Sequence, residues 1–342
     1  MPSQDSAFST QDSSRLVTTE EMKVLEQSAV QQGISLEQLM DNAGLAVARE
    51  IQRMHSSQPG SAVVLIGPGN NGGDGLVCAE HLRQAGWQIR LHLTPQPERD
   101  RQRFPVLQAL QPGPVPVEPM EVVVDALLGT GSSRPIQGPM ADTLDAVRAC
   151  QPVARVVAVD VPSGVNADTG AVDPRTLPAS VTVTLGLAKV GLHQFPAQDV
   201  AGEVRVVDIG IPALLSADVR TCLSDTDLAR HFLPARPGDA HKGTFGKLLV
   251  VAGAAAYSGA PYLTSMAAAR VGAGVIRLAT PRSVHPIVAS KFTEATFAPL
   301  PETEDGWLAR AALPRLQELL RDRYDCLLIG PGLGQDLSLI HI

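Results

Sequence analysis

The run Gly67-Pro68-Gly69-Asn70-Asn71-Gly72-Gly73-Asp74-Gly75 follows directly on an apolar segment at 62–66, and five of its nine residues are glycine. Glycine admits positive φ and lets backbone N–H groups approach a ligand closely. Residues 76–82 read as a helix start, so the unit is strand, glycine loop, helix. A helix N-terminus offers unpaired N–H groups and the positive end of a dipole, which suits a phosphate. The side-chain amides and the carboxylate within this loop set it apart from a plain phosphate cradle.

The same rhythm continues along the chain. Short apolar, β-branched runs predict strands at 62–66, 88–93, 121–124, 154–159, 180–185 and 203–209, with helices at about 75–85 and 138–150. Continuous runs of this kind suit a parallel sheet covered on both faces. The fold class is therefore α/β, a Rossmann-like, doubly wound and mostly parallel sheet. Upstream, Thr18 and Glu21 have capping-box spacing and open a helix to about 32. Ser35 opens a second one to about 54, with Leu36, Leu39, Met40, Ala43, Val47 and Ile51 at helical spacing. The proline-rich stretch 95–119 predicts a surface excursion without an element. A second α/β unit begins with a strand at 247–252, a helix at 261–271 and a strand at 275–279, and a further strand enters a glycine turn at 327–334. A strand entering such a turn normally feeds a helix and more strands, so the reading predicts an incomplete second domain. The expected organisation is a disordered leader at 1–14, a first domain at 15–215, a linker at 216–240 and the N-terminal part of a second domain at 241–342. The closing segment 337–342 follows no assignable pattern.

The 342 residues carry a net charge of −7 and only 4% aromatic residues, which disfavours nucleic acid and anionic membrane surfaces as partners. Cys78, Cys150, Cys222 and Cys326 are widely spaced and fit free thiols in a reducing compartment, so a cytoplasmic location is expected. The N-terminus lacks a secretory pattern, and no apolar run is long enough to span a bilayer. The partner expected is a small molecule, and a homo-oligomer is compatible with the sequence.

Polar groups close three strands of the first domain: Asn70, Asn71 and Asp74 in the glycine loop, Asp125 before Ala126-Leu127-Leu128-Gly129-Thr130-Gly131, and Asp160 before Val161-Pro162-Ser163-Gly164. Parallel strands present their carboxyl ends along one edge, where ligands bind. Asp74, Asp125 and Asp160 are therefore expected to converge on one crevice. Like charges at close range need compensation. A bound cation supplies it, and the Asn71 amide, the Asp125 carboxylate, the Ser163 hydroxyl and backbone carbonyls form an all-oxygen set suited to a hard cation. Asp160 is then left for proton transfer. The bland alternatives are a helix cap for Asp74 and turn-forming roles for Asp125 and Asp160. His55, His81, His92 and His193 lack metal-ligand spacing and read as surface or partly buried. Lys189 reads as solvated rather than phosphate-bound.

These motifs, together with Leu39-Met40-Asp41-Asn42-Ala43-Gly44, resemble the NAD(P)H-hydrate epimerase, or YjeF N-terminal, family over roughly 15–215. Lys242-Gly243-Thr244-Phe245-Gly246-Lys247, Tyr257-Ser258-Gly259-Ala260-Pro261, Gly272-Ala273-Gly274 and Gly330-Pro331-Gly332-Leu333-Gly334 resemble the opening of the ADP-dependent NAD(P)H-hydrate dehydratase family, whose fold is ribokinase-like. The order of the halves resembles bifunctional NAD(P)H-hydrate repair enzymes. The resemblance implies epimerisation of NADH or NADPH hydrated at C6 of the nicotinamide ring (an isomerase), and nucleotide-driven dehydration of the S form (a lyase). It implies substrate contacts from Asn70, Asn71, Gly72, Gly73, Asp74, Gly129, Thr130, Gly131, Ser132, Ser133, Arg134, Pro135 and Asp160, with Asp160 catalytic. It implies potassium held by Asn71, Asp125 and Ser163. In the second half, Ala260 and Gly332 would line the hydrate pocket, and a complete domain would use ADP or ATP with Mg²⁺. The family's nucleotide loop and Gly-x-Gly-Asp helix start do not follow Gly334, so this chain is expected to lack dehydratase activity.

Competing readings are weaker. Gly67-x-Gly69-x-x-Gly72 fits a dinucleotide fingerprint, but a dehydrogenase wants an acidic residue closing the second strand, which here ends in Thr94-Pro95 with Glu98 beyond. A non-catalytic scaffold is disfavoured by the retained Asp125 and Asp160. A small-molecule kinase finds support only in the opening of the second half.

Overall fold

The computed structural model describes residues 14–56, 58–94, 103–115, 121–131, 134–150 and 155–335. The chain divides into two compact units between Leu233 and Pro234.

The first unit opens with β1 (Leu16–Val17), α1 (Thr19–Gln31) and α2 (Leu36–Met54). The Thr18 and Glu21 side chains close a reciprocal capping box on α1, and Ser35 caps α2. There follow β2 (Ser61–Ile66), α3 (Asn70–Gln84), β3 (Gln88–Leu93), α4 (Val106–Ala109), β4 (Val122–Ala126), α5 (Pro139–Ala149), β5 (Arg155–Val159) and β6 (Val181–Leu185). The unit closes with β7 (Ala188–Lys189), α6 (Gln198–Ala201), β8 (Glu203–Val207) and α7 (Thr226–Phe232). Six strands form one sheet in the order β3-β2-β4-β5-β6-β8, and every pairing is parallel. From β2 the chain runs outward to β3, then crosses to β4 on the other side. The carboxyl ends of β2 and β4 therefore flank the switch point at which open α/β sheets bind ligands.

Alternate residues of each strand supply two cores. Val64, Ile66, Val124, Val159 and Val183 face α1, α2 and α3, whose Leu25, Leu39, Val47 and Leu76 are buried with them. Val63, Leu65, Val123 and Val156 pack on Leu144 and Val147 of α5. A separate two-stranded parallel ribbon pairs Leu16 with Ala188 and Val17 with Lys189.

The second unit contains β9 (Lys247–Val251), α8 (Gly259–Val271), β10 (Val275–Pro281), α9 (His285–Ala289), β11 (Thr296–Leu300), α10 (Leu313–Arg321) and β12 (Cys326–Ile329). Its sheet, in the order β11-β10-β9-β12, is also wholly parallel. One face packs on Leu316 and Leu319 of α10, the other on Val288 of α9 and Phe292.

The expected class is therefore observed, with three local corrections. The helix expected from about 75 begins at Asn70, so most of the glycine run is helical. Within 95–119, α4 is a helical turn whose Val106 and Leu107 enter the main core. Within 216–240, α7 is a helix capped by Asp225. The leader up to residue 13 and the tail from 336 lie outside the described residues. Among the described residues no helix is long and apolar enough to cross a membrane. The four cysteines form no disulfide with one another.

Candidate functional site

The glycine run works by close approach. Gly67 N–H donates to the Ala126 carbonyl at 3.0 Å, and a Cβ on Gly67 would sit 1.6 Å from the Leu127 carbonyl oxygen. Only glycine lets the turn after β2 pass so tightly beside the end of β4. Gly69 is the N-cap, and Asn70, Asn71, Gly72 and Gly73 build the first turn of α3, whose N-terminus points to the switch point. Asp74 lies inside that helix and is buried, so it is not a cap. Burial, followed by the Asp74 carboxylate, pushes the Cys78 thiol far above its ordinary range, leaving it inert as a nucleophile.

Asp125 lies within β4 rather than in a turn, and it is wholly buried. Alternation puts it on the α5 face with Val123. Its Oδ1 accepts from the Ser163 hydroxyl at 2.6 Å and from Leu127 N–H at 3.3 Å, and its Oδ2 accepts from Ser163 N–H at 2.9 Å. Asn71 Nδ2 donates to the Leu128 carbonyl at 3.0 Å, and Leu128 N–H donates to Ser163 Oγ at 2.9 Å. Asn71, Asp125 and Ser163 thus meet around Leu128. Burial raises the Asp125 pKa, the donors from Ser163 and Leu127 oppose the shift, and among the described residues no cationic side chain contributes.

Asp160 follows β5 with a φ of +68°, in the left-handed region that non-glycine residues seldom enter. Holding such a residue costs about 1–3 kcal/mol and is met chiefly where function demands it. The turn is pinned by Asp160 N–H donating to Val183 O at 2.8 Å and Val161 N–H to Val159 O at 2.9 Å. Asp160 Oδ1 accepts from Lys189 Nζ, from Leu185 N–H at 3.1 Å and from the Thr184 hydroxyl at 3.3 Å. Lys189 is 1% exposed, and its ammonium also donates to Leu185 O at 2.8 Å and Thr184 Oγ1 at 3.3 Å. The expectation of a solvated Lys189 is therefore wrong: the ribbon with β1 buries it, and its charge answers that of Asp160. The apolar neighbours Ala188, Val190 and Leu192 were the available signal.

Leu185, whose N–H holds Asp160, also lines a cavity of about 250 Å³ whose walls include neither Asp160 nor Lys189. Its apolar wall includes Leu36, Leu39, Met40, Ala43, Phe104, Leu185 and Ile209, and its polar lining is Glu26, Glu37, Asn70, Asp74 and Arg103. The segment 39–44 builds much of it. Asp41 pairs with Arg103 at 2.8 Å, Asn42 Nδ2 donates to Ile209 O at 2.8 Å, and Gly44 lets α3 come so near that a Cβ there would lie 2.5 Å from that of Val77. Glu26, which the sequence does not single out, has a raised pKa: burial dominates and Asp160 adds to it, while Lys189 and Lys23 oppose.

The three acids stand along one sheet edge but do not crowd a single point. Lys189 neutralises Asp160, Asp125 sits among neutral donors on the α5 face, and Asp74 faces the cavity. Gly129 and Thr130 are half-buried in the loop after β4, and Gly131, Arg134 and Pro135 are exposed there. Ser132 and Ser133 lie outside the described residues. Ala260 and Gly332 belong to the second unit, where a Cβ on Gly332 would meet that of Ala260 at 2.7 Å. At the end of β3, Thr94 donates its hydroxyl to Ile66 O at 3.1 Å, and no described acid closes that strand as a dinucleotide dehydrogenase requires. His92 bridges Gly113 O and Thr143 Oγ1, both at 2.9 Å. Among the described residues no three His, Cys, Asp or Glu side chains are placed to hold a metal ion.

A parallel sheet with a glycine turn at its switch point and a strained acid at the next strand end defines a doubly wound α/β protein with a ligand crevice. Residues 36–191 match the model of the YjeF-related protein N-terminus, and residues 248–341 match that of NAD(P)H-hydrate dehydratase. It is 37% identical to the bifunctional NAD(P)H-hydrate repair enzyme Nnr of Thermofilum pendens, over 96% of this chain and 65% of that protein. The corresponding enzyme of Moorella thermoacetica is 37% identical over 89% of this chain and 61% of its own length. The chain thus spans less than two thirds of these relatives. The crystal structure of the yeast protein YNL200c shares 24% identity and a TM-score of 0.53, covering 62% of this chain and 98% of its own, which shows the fold.

Proposed function

We propose that the first unit interconverts the R and S epimers of NADH or NADPH hydrated at C6. The carrying observation is Asp160: a strained, buried carboxylate at a strand end, one oxygen saturated by Lys189, Leu185 and Thr184, and joined through Leu185 to a cavity with an apolar wall suited to an uncharged ring. The α3 N-terminus takes the diphosphate. Gly129, Thr130, Gly131, Arg134 and Pro135 flank the substrate from the loop after β4. At C6 the hydroxyl leaves with a proton, the ring nitrogen lone pair stabilises the cation, and water adds to the opposite face. Asp160 Oδ2, which has no hydrogen bond among the described residues, is placed to exchange a proton with the oxygen at C6.

Potassium fits the residues present. Asp125 is buried with no cationic partner among the described residues, and Asn71, Ser163 and the Leu128 carbonyl supply oxygens around it. The ion would neutralise Asp125 and add positive potential beside the diphosphate. For the second unit we propose the substrate side of a nucleotide-dependent S-hydrate dehydratase using ADP or ATP with Mg²⁺, with Ala260 and Gly332 at the pocket.

The test is chiral chromatography of the hydrate epimers with the purified protein. Wild type equilibrates them, and Asp160→Asn lowers the rate by about 10²–10⁴-fold while the variant still binds the hydrate. Turnover at the wild-type rate in that variant removes the assignment.

A further inference from the structure

We propose that Glu26 is the second acid–base group of this site, working on the opposite face of the ring from Asp160. The inference rests on the epimerase reading above. It starts from the hydrogen bonds of Asp160. Lys189 spends its three protons on Asp160, Thr184 and Leu185, so the pair is a closed ammonium–carboxylate unit. With Oδ1 occupied by Lys189, Leu185 and Thr184, Asp160 has only Oδ2 to offer, and the proton that departs with the C6 hydroxyl comes from another group.

Glu26 supplies it. The residue projects from α1 into the cavity that Leu185 also lines, and Leu185 N–H holds Asp160. Among the described residues no hydrogen bond or ion pair engages the Glu26 carboxyl. The charged groups around it are Lys23 on its own helix, Glu37 of α2, Asp74 of α3, Arg103 ahead of α4, and the Asp160–Lys189 pair. Burial is the largest influence on Glu26 and favours its protonated form. Two carboxyl groups whose surroundings set them apart are a common division of acid from base.

The proton inventory balances. Protonated Glu26 gives its proton to the C6 hydroxyl, the C–O bond breaks, and water leaves. The ring nitrogen lone pair forms the N=C6 cation. A second water attacks the other face, its oxygen bonds to C6, and Asp160 takes the proton. The site ends with Glu26 ionised and Asp160 protonated, which is the form that runs the reverse direction.

Each carboxyl should therefore serve one epimer. In H₂¹⁸O, Glu26→Gln is expected to lose epimerisation by about a hundredfold or more while still exchanging ¹⁸O into one epimer with retention. Asp160→Asn exchanges only the other epimer. Glu26→Ala, read in the same way, replaces the first variant if that one does not fold. Epimerisation at the wild-type rate in the Glu26 variant, or loss of both epimerisation and exchange in a folded variant, overturns the proposal. A wild-type protein that does not interconvert the epimers instead overturns the epimerase reading itself.

Discussion

Lys189 and Asp160 form the most consequential contact between two residues in the first unit, and half of it was legible in the sequence. Asp160 announces itself by its place after a β-branched run and before Val-Pro-Ser-Gly. Lys189 is fainter: its apolar neighbours hint at burial, but the ribbon that buries it is only two residues long. Glu26 gave no signal at all, since only tertiary packing puts it at a cavity with Leu185. Removing one partner of a buried pair strands the other, at about 3–5 kcal/mol. Lys189→Met should therefore lower stability by that order and depress kcat more than KM. Asp160→Asn added to it should restore part of the stability in urea unfolding. Glu26 makes a pH prediction. Its folded pKa is raised, so its contribution to stability is fully present below the unfolded value and is lost as pH rises through the folded value. Denaturant midpoints should fall across that window in wild type and stay flatter in Glu26→Gln.

At the scale of elements, regular patterns were read well and special ones poorly. The six main strands fall within two or three residues of the expected runs. The glycine run misleads because glycine usually argues against helix, yet here the close packing of α2, α3 and β4 favours residues without side chains. Gly44→Ala would set a Cβ 2.5 Å from that of Val77, so α2 and α3 must move apart. A loss of about 1–3 kcal/mol in denaturant unfolding is expected. β11 escaped notice because Pro299 interrupts its apolar run, and α10 because Pro314 masks its start. Asp225 caps α7, but none of its residues is buried, so hydrophobic periodicity had nothing to mark.

The whole molecule consists of two units with separate cores, which predicts two transitions in calorimetry. If the oxygen set around Asp125 takes potassium, adding potassium in place of sodium should raise only the transition of the first unit, by mass action. Asp125→Asn should abolish that shift, and an equal response in the variant would remove the ion from that place. In the second unit β12 is an edge strand with Leu327 and Ile329 exposed, a surface open to further pairing.

The ribbon of β1 and β7 ties the first described residues to the reaction centre. Leu16 and Val17 are buried, and Val17 is in register with Lys189 itself. Leu16 N–H also donates to Thr221 O at 2.9 Å, so this strand laces together two distant stretches of chain. A proteolytic nick just ahead of α1 would let that lace slip, freeing the ammonium that restrains the carboxylate. The proposed epimerisation would then be silenced by a cut far along the chain from Asp160, with every group of the crevice chemically untouched.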